Sequence, residues 1–220
     1  MNRVADAIFS FVASQGVDTV FLVPGGGAMY LVDAVGQNRD LRFVANLHEQ
    51  ASTIAAEAYA RVHGRLGVAL VTTGPGATNA ITGVVGAWIE STPMLVISGQ
   101  VKRADMMGDM GLRQRGPQEV DIISMVRGIT KYAVTVMDPT TIRYHLERAV
   151  TLATQGRRGP VWLDIPLDVQ ASMIDFVNLP GDPTRNDDGQ QHTASLHNAV
   201  QRTLALIDVA ERPLILAGHG

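Results

Sequence analysis

Glu49 is the first residue in this sequence whose type and place could do chemistry. In "RFVANLHEQASTIAAEAYAR", residues 42–61, a short apolar run ends in Leu47, His48 and Glu49, and a helix of small residues follows at once. An acid at a helix start can cap it, contributing about 0.3–1 kcal/mol through the helix dipole. Held partly out of water, the same carboxyl can hold or pass a proton. Taken alone, capping is the simpler account. His48 is weaker still, because a histidine at a strand end is more often structural than catalytic. No second histidine stands nearby at metal-ligand spacing, which argues against a metal site in this chain.

Two glycine-rich loops are the other candidates. "PGGG", residues 24–27, gives the backbone freedom to approach a ligand closely, and equally suits a tight strand-to-helix turn. "TTGPGATN", residues 72–79, resembles a phosphate cradle at a helix start. It fails both nucleotide fingerprints: Asn79 stands where G-x-G-x-x-G needs its third glycine, and no Lys-Ser/Thr follows. A loop packing its backbone against a flat heterocycle is equally consistent. No G-x-S-x-G is present, so a hydrolase elbow is unsupported.

Strands and helices must hold these loops. Helical periodicity covers about residues 4–15, 28–35, 49–63, 79–90 and 140–155. Strand-like runs alternate with them: "TVFLV", "RFVAN", "GVALVTT", "PMLVISG", "ITKYAVTV" and "GPVWLDIP". Near-continuous apolar strands alternating with helices predict an α/β fold, an open, mostly parallel sheet with helices on both faces. In such a sheet the four loops at 24–27, 47–50, 72–79 and 100–119 would share the carboxyl edge, where ligands bind.

Composition narrows the function classes. With 46% hydrophobic and 18% charged residues a sizeable core is expected. A net charge of −3 without a basic run points away from nucleic acid and anionic membranes. Absence of cysteine excludes disulfides and thiolate chemistry. The opening "MNRVADAIFSFVASQG" places its apolar residues on one helical face instead of forming a signal core, and no run approaches the roughly 18 apolar residues of a membrane span. The expected location is cytoplasmic. After residue 175 the chain turns rich in Pro, Gly, Asp and Gln, then begins a helix and the strand-like "RPLILAG". The expected organisation is a domain over 1–175, a linker over 176–195, and the start of a second α/β domain over 196–220. One helix and one strand cannot bury a core, so the chain reads as part of a longer protein.

The motifs also carry a resemblance. "VPGGGAMYLVDAV", "NLHEQASTIAAEAYAR", "GVALVTTGPGATNAITGVVGAWIESTPMLVISGQV", "QEVDIISMVRGITKYAV" and "GPVWLDIPLDVQ" occur in this order. Over residues 1–175 the chain resembles the N-terminal pyrimidine-binding domain of thiamine-diphosphate enzymes of the acetohydroxyacid (acetolactate) synthase and pyruvate oxidase group. The resemblance implies a carboligase or lyase acting on a 2-oxo acid such as pyruvate. It implies that Glu49 is catalytic, its carboxyl bonding N1′ of the aminopyrimidine and favouring the imino tautomer that deprotonates the thiazolium. It places Pro24 and Gly25 at the cofactor's edge, Thr72, Pro75 and Asn79 against the pyrimidine, and Gln118 near the reacting centre, with Gly74 and Gly76 keeping their loop tight. It implies Mg²⁺ and diphosphate held by a C-terminal domain, FAD in a central domain whose glycine loop Gly218 and Gly220 resemble, and a site completed between subunits of a homodimer or homotetramer. Alone, the chain is expected to be inactive.

The sequence also departs from that group. Gly116 and Pro117 stand where Ala-Phe is usual, and the segment 100–118 is several residues longer, with Arg103, Arg113 and Arg115 in it. Other thiamine-diphosphate decarboxylases and oxidases therefore remain open, as does a noncatalytic protein that dimerises with homologous subunits. A nicotinamide-binding domain is disfavoured by the missing G-x-G-x-x-G.

Overall fold

In a computed structural model, the protein is described over residues 1–184, 191–216 and 218, with 191–194 as backbone only. The chain forms two units, Met1–Asp182 and Pro183–Gly220. In order, the first contains β1 (Asn2–Arg3), α1 (Val4–Ser14), β2 (Thr19–Leu22), α2 (Met29–Gln37), β3 (Arg42–Ala45), α3 (Glu49–His63), β4 (Gly67–Val71), α4 (Pro75–Asn79), α5 (Ile81–Ile89), β5 (Met94–Gln100), α6 (Ile122–Val126), β6 (Tyr132–Thr135), α7 (Ile142–Thr154), β7 (Pro160–Pro166), α8 (Leu167–Ala171) and β8 (Met173–Ile174). The described part of the second unit contains α9 (Gln191–Val209).

The sheet is six-stranded in the order β3-β2-β4-β5-β7-β6, and every pairing is parallel. Its three central strands, β4, β5 and β7, are buried along their whole length. Their alternation feeds two cores. Val68, Leu70, Leu95, Ile97, Val161 and Leu163 join the cluster with α1, α2 and α7. Ala69, Val71, Met94, Val96 and Trp162 face the other cluster, with α5 and α6. Period-2 side chains on a strand necessarily point to opposite faces, so helices on both sides follow.

Local chemistry sets the helix ends. Arg3 and Asp6 open α1 with a reciprocal cap, the Arg3 N–H donating to Asp6 Oδ2 at 3.2 Å. Gly64 closes α3 with φ +64°, a left-handed residue that glycine adopts without a Cβ clash.

Four features differ from the sequence reading. Edge strand β3 is exposed throughout, having a neighbour on one side only. Residues 75–79, expected as loop, form the helical turn α4, because Pro75 presets the first helical φ. The two-residue β1 and β8 pair antiparallel outside the main sheet, too short to leave a periodicity. "RPLILAG" is not a strand over described residues 212–216 and 218, since a strand needs a bonded neighbour. Gly220 lies outside the described residues.

Candidate active site

The topology creates the crevice. β2 pairs with β3 on one side and β4 on the other, so the chain leaves β2 in one direction and returns on its opposite flank. Such a switch separates the loops at the carboxyl edge and opens a gap between them. The loops after β2, β3 and β4 carry "PGGG", "LHE" and "TTGPG", and all three leave the sheet at this edge.

Glu49 is the first residue of α3 and is half-buried. Its Oε2 accepts from Asn79 Nδ2 at 2.7 Å, and the same amide nitrogen lies 3.2 Å from His48 Nε2. With both Asn79 hydrogens directed at acceptors, the ring nitrogen of His48 takes the acceptor role. Oε1 of Glu49 has no hydrogen-bond partner among the described residues. It lies 3.3 Å from where a Cβ on Gly76 would stand, and that Cβ would also meet Thr72 Cγ2 at 2.6 Å. Only glycine fits between Thr72 and the carboxylate. The side chain of Gln50, next to Glu49, makes no hydrogen bond among the described residues.

The glycine loop packs from the other side. Thr72 Oγ1 accepts the Gly27 N–H at 3.1 Å, and a Cβ on Gly25 would lie 2.5 Å from Thr72 Cβ. Gln170 Nε2 anchors this loop by donating to Gly27 O at 2.7 Å and Ile165 O at 2.8 Å. Beside Pro24 and Gly25 opens a cavity of about 420 Å³, lined also by Gly26, Met29, Val32 and Asp33. Glu49 is not among the residues lining it. Pro75 is exposed at the start of α4.

Gln118 is exposed and has φ +60°. Its carbonyl fills the space beside Gly74, where a Cβ would stand 1.9 Å from Gln118 O. The structure thus joins Gln118 to the same loop cluster. The long segment before it is fastened down. Arg103 donates to Asp168 from its backbone N–H at 2.9 Å and its Nε at 2.7 Å. The buried Glu119 carboxylate accepts N–H groups from Met107 at 2.5 Å, Arg115 at 2.9 Å and Gly116 at 3.0 Å. Burial pulls the Glu119 pKa up, but the three N–H donors together outweigh it and hold the carboxyl below its ordinary range.

A depressed folded-state pKa means that this stabilisation is complete above the ordinary value of 4.5 and is lost as pH falls through the lower folded value. The amide resonances of Met107, Arg115 and Gly116 are therefore expected to titrate together below pH 4.5. Glu119→Gln should abolish the common titration. Independent titration of the three amides would show that no single carboxylate holds them.

Sequence reasoning missed a polar group beneath the site. Asp164 lies in mid-strand in β7, fully buried, accepting from Ser98 Oγ at 2.6 Å, Gln100 Nε2 at 3.1 Å and Thr135 Oγ1 at 3.1 Å. Burial, only partly offset by these bonds, pushes its carboxyl up to about 7. The available signal was an acid inside the apolar run "VWLDIP", because a buried polar side chain demands partners.

Comparison with known proteins matches residues 2–125 to the family described as "Thiamine pyrophosphate enzyme, N-terminal TPP binding domain". Relatives include the acetolactate synthase large subunit of Parasynechococcus marenigrum, 38% identical over 98% of this chain and 34% of that protein. The chloroplastic acetolactate synthase of Arabidopsis thaliana is 35% identical over 98% of this chain and 31% of that protein. The acetolactate synthase large subunit of Lactococcus lactis is 35% identical over 93% of this chain and 34% of that protein. The chain spans about a third of the length of these curated relatives. With more than half of its length inside the family match, this chain belongs to the thiamine pyrophosphate enzymes, as an N-terminal TPP binding domain.

Proposed function

We propose that the chain is the aminopyrimidine-facing part of a thiamine-diphosphate-dependent 2-oxo acid carboligase of acetolactate synthase type, with pyruvate as a substrate. The observation that carries this is Glu49: one oxygen is fixed by Asn79, and the other, beside Gly76, has no hydrogen-bond partner among the described residues. The residues present fit a flat heterocycle. Gly25 and Gly76 let Thr72 pack directly on the backbone, since a Cβ on either would lie within 2.6 Å of it, and the carboxyl oxygen beside Gly76 can share one proton with a ring nitrogen.

In this reading Glu49 holds or shares the proton at N1′. Asn79 and His48 orient its carboxyl. Thr72, Pro75, Gly76, Pro24 and Gly25 shape the cofactor's seat, and Gln118 borders the reacting centre. When bound, thiamine diphosphate supplies the carbanion chemistry; the chain supplies position and the proton site. Mg²⁺ and the diphosphate would belong to a C-terminal domain, and FAD to a central domain that begins within residues 196–220, after a linker from 176 to 195.

We assign a homodimer or homotetramer, in the cytoplasm, as the working state. Phe43, Val44, Leu47 and Ile54 are exposed around the Glu49 junction, Leu47 completely. Clustered exposed apolar side chains mark an interaction surface, and a second subunit seated there would close the open side of the crevice. Among the described residues no helix is long and apolar enough to cross a membrane.

The test is product analysis. The holoenzyme, supplied with pyruvate, thiamine diphosphate and Mg²⁺, with and without FAD, should form acetolactate, read by mass spectrometry. Acetaldehyde or acetate as the main product would replace the carboligase by a decarboxylase or oxidase. Absence of thiazolium C2–H exchange above the free-cofactor rate would sink the thiamine reading itself.

A further inference from the structure

Gln100 is the last residue of β5, buried, and all four hydrogen-bonding positions of its side-chain amide are filled. Oε1 accepts from Thr73 Oγ1 at 2.8 Å and from the Val101 N–H at 2.9 Å. Nε2 donates to Val120 O at 3.0 Å and to Asp164 Oδ2 at 3.1 Å. Thr73 adjoins Thr72 and Gly74 in the loop after β4. Val120 stands two residues beyond Gln118. One amide therefore ties the two loops from below, while the Gly74–Gln118 backbone contact joins them above.

Asp164 fixes the tie. Its Oδ1 receives Ser98 Oγ, whose own oxygen accepts Trp162 Nε1 at 2.8 Å; its Oδ2 receives Gln100 and Thr135. The Val101 N–H can only donate to this amide and the Val120 carbonyl can only accept from it, so the amide of Gln100 has one orientation and turns its second hydrogen to Asp164. With the amide reversed, its oxygen would face Asp164 and its nitrogen would face Val101 N–H, losing both bonds. Gln118 gains from this directly. A non-glycine residue at φ +60° is held against a backbone preference, and such residues persist where their surroundings over-determine them. Glu119 pins one flank to the residues before it, and Gln100 pins the other.

We propose that Gln100, bonded to Asp164, is a positioning residue: a buried crossbar that sets the distance and register between the Thr72–Gly76 loop and Gln118. The proposal rests on the thiamine reading for what those loops do, and on hydrogen bonds alone for how they are held. Neither residue touches the crevice, so any effect on turnover must act through Thr73 and Val120.

The test is amide hydrogen exchange on the chain without cofactor, comparing Gln100→Met with Ser98→Ala. Methionine keeps the volume and removes all four bonds. Ser98→Ala takes a bond from the same carboxylate without reaching either loop. Gln100→Met should speed exchange at Gly74, Gly76, Glu119 and Val120 by about tenfold or more, while Ser98→Ala leaves these amides near the parent rate. In the holoenzyme Gln100→Met should lower kcat about tenfold without raising the KM for thiamine diphosphate, and Ser98→Ala should change neither. Unchanged loop exchange in Gln100→Met, or equal loosening by both variants, overturns the crossbar. If Gln100→Met does not fold, Thr73→Val removes one arm only; it should loosen Gly74 and Gly76, and their unchanged exchange overturns the proposal. The exchange arm needs no cofactor, so failure of the thiamine reading shows in the product assay and not here.

Discussion

Glu49→Gln leaves the protein folded and lowers holoenzyme turnover by about 10²–10⁴-fold, the range for removing a positioned acid–base group. Glutamine is the same length and keeps an oxygen for Asn79 Nδ2, now at 2.7 Å from Glu49 Oε2. What it loses is the exchangeable proton. The helix would lose about 0.3–1 kcal/mol of dipole stabilisation, visible as a small shift in melting temperature and unrelated to catalysis. A capping role predicts that small shift and normal turnover. A proton role predicts the shift and the loss together. Glu49→Asp separates length from charge, because it keeps the acid and withdraws it from Asn79 and from the face of Gly76. Turnover is measured at saturating cofactor, alongside thermal melting of each variant. Near-normal turnover in Glu49→Gln would falsify the proton assignment.

The difference between what was legible and what was not follows from distance along the chain. Residues 67–71 and 94–97 announced themselves as inner strands because burial on both faces leaves near-continuous apolar runs. Glu49 was legible because strand, acid and small-residue helix are contiguous, and the helix begins at that residue. Its bond to Asn79 joins residues 30 apart, and no local pattern encodes it. Gln100 and Asp164 are 64 apart; the sequence pattern assigned Gln100 to the loop that follows the strand and left Asp164 inside an apolar run, and nothing local links them. The exposed face of β3 was hidden for a related reason. Arg42–Ala45 has the composition of an inner strand, and only the sheet order places it at an edge.

Gly74 shows the same long-range dependence at its sharpest, and carries the second large expectation. Its φ of 61° and ψ of −121° lie outside the ordinary left-handed basin, so any side chain there is strained by about 1–3 kcal/mol. A Cβ would also lie 1.9 Å from the Gln118 carbonyl oxygen and 2.9 Å from its carbon. That contact is with backbone, which cannot rotate away as a side-chain tip can. Gln118 must then leave its own φ of +60°, or the loop after β4 must move away from Gln118. Gly74→Ala is therefore expected to cost about 2–4 kcal/mol of stability and to lower kcat/KM by about 10²-fold through the misplaced loops. Gly64→Ala provides the comparison: its φ is +64° and nothing lies within 4 Å of its Cβ position. That substitution should cost about 1 kcal/mol and leave turnover intact. Chemical denaturation and steady-state kinetics on both variants decide the matter. If they lose equal stability and neither loses activity, Gly74 is only a turn former, and the contact that joins Gln118 to the Thr72–Gly76 loop has no part in shaping the site.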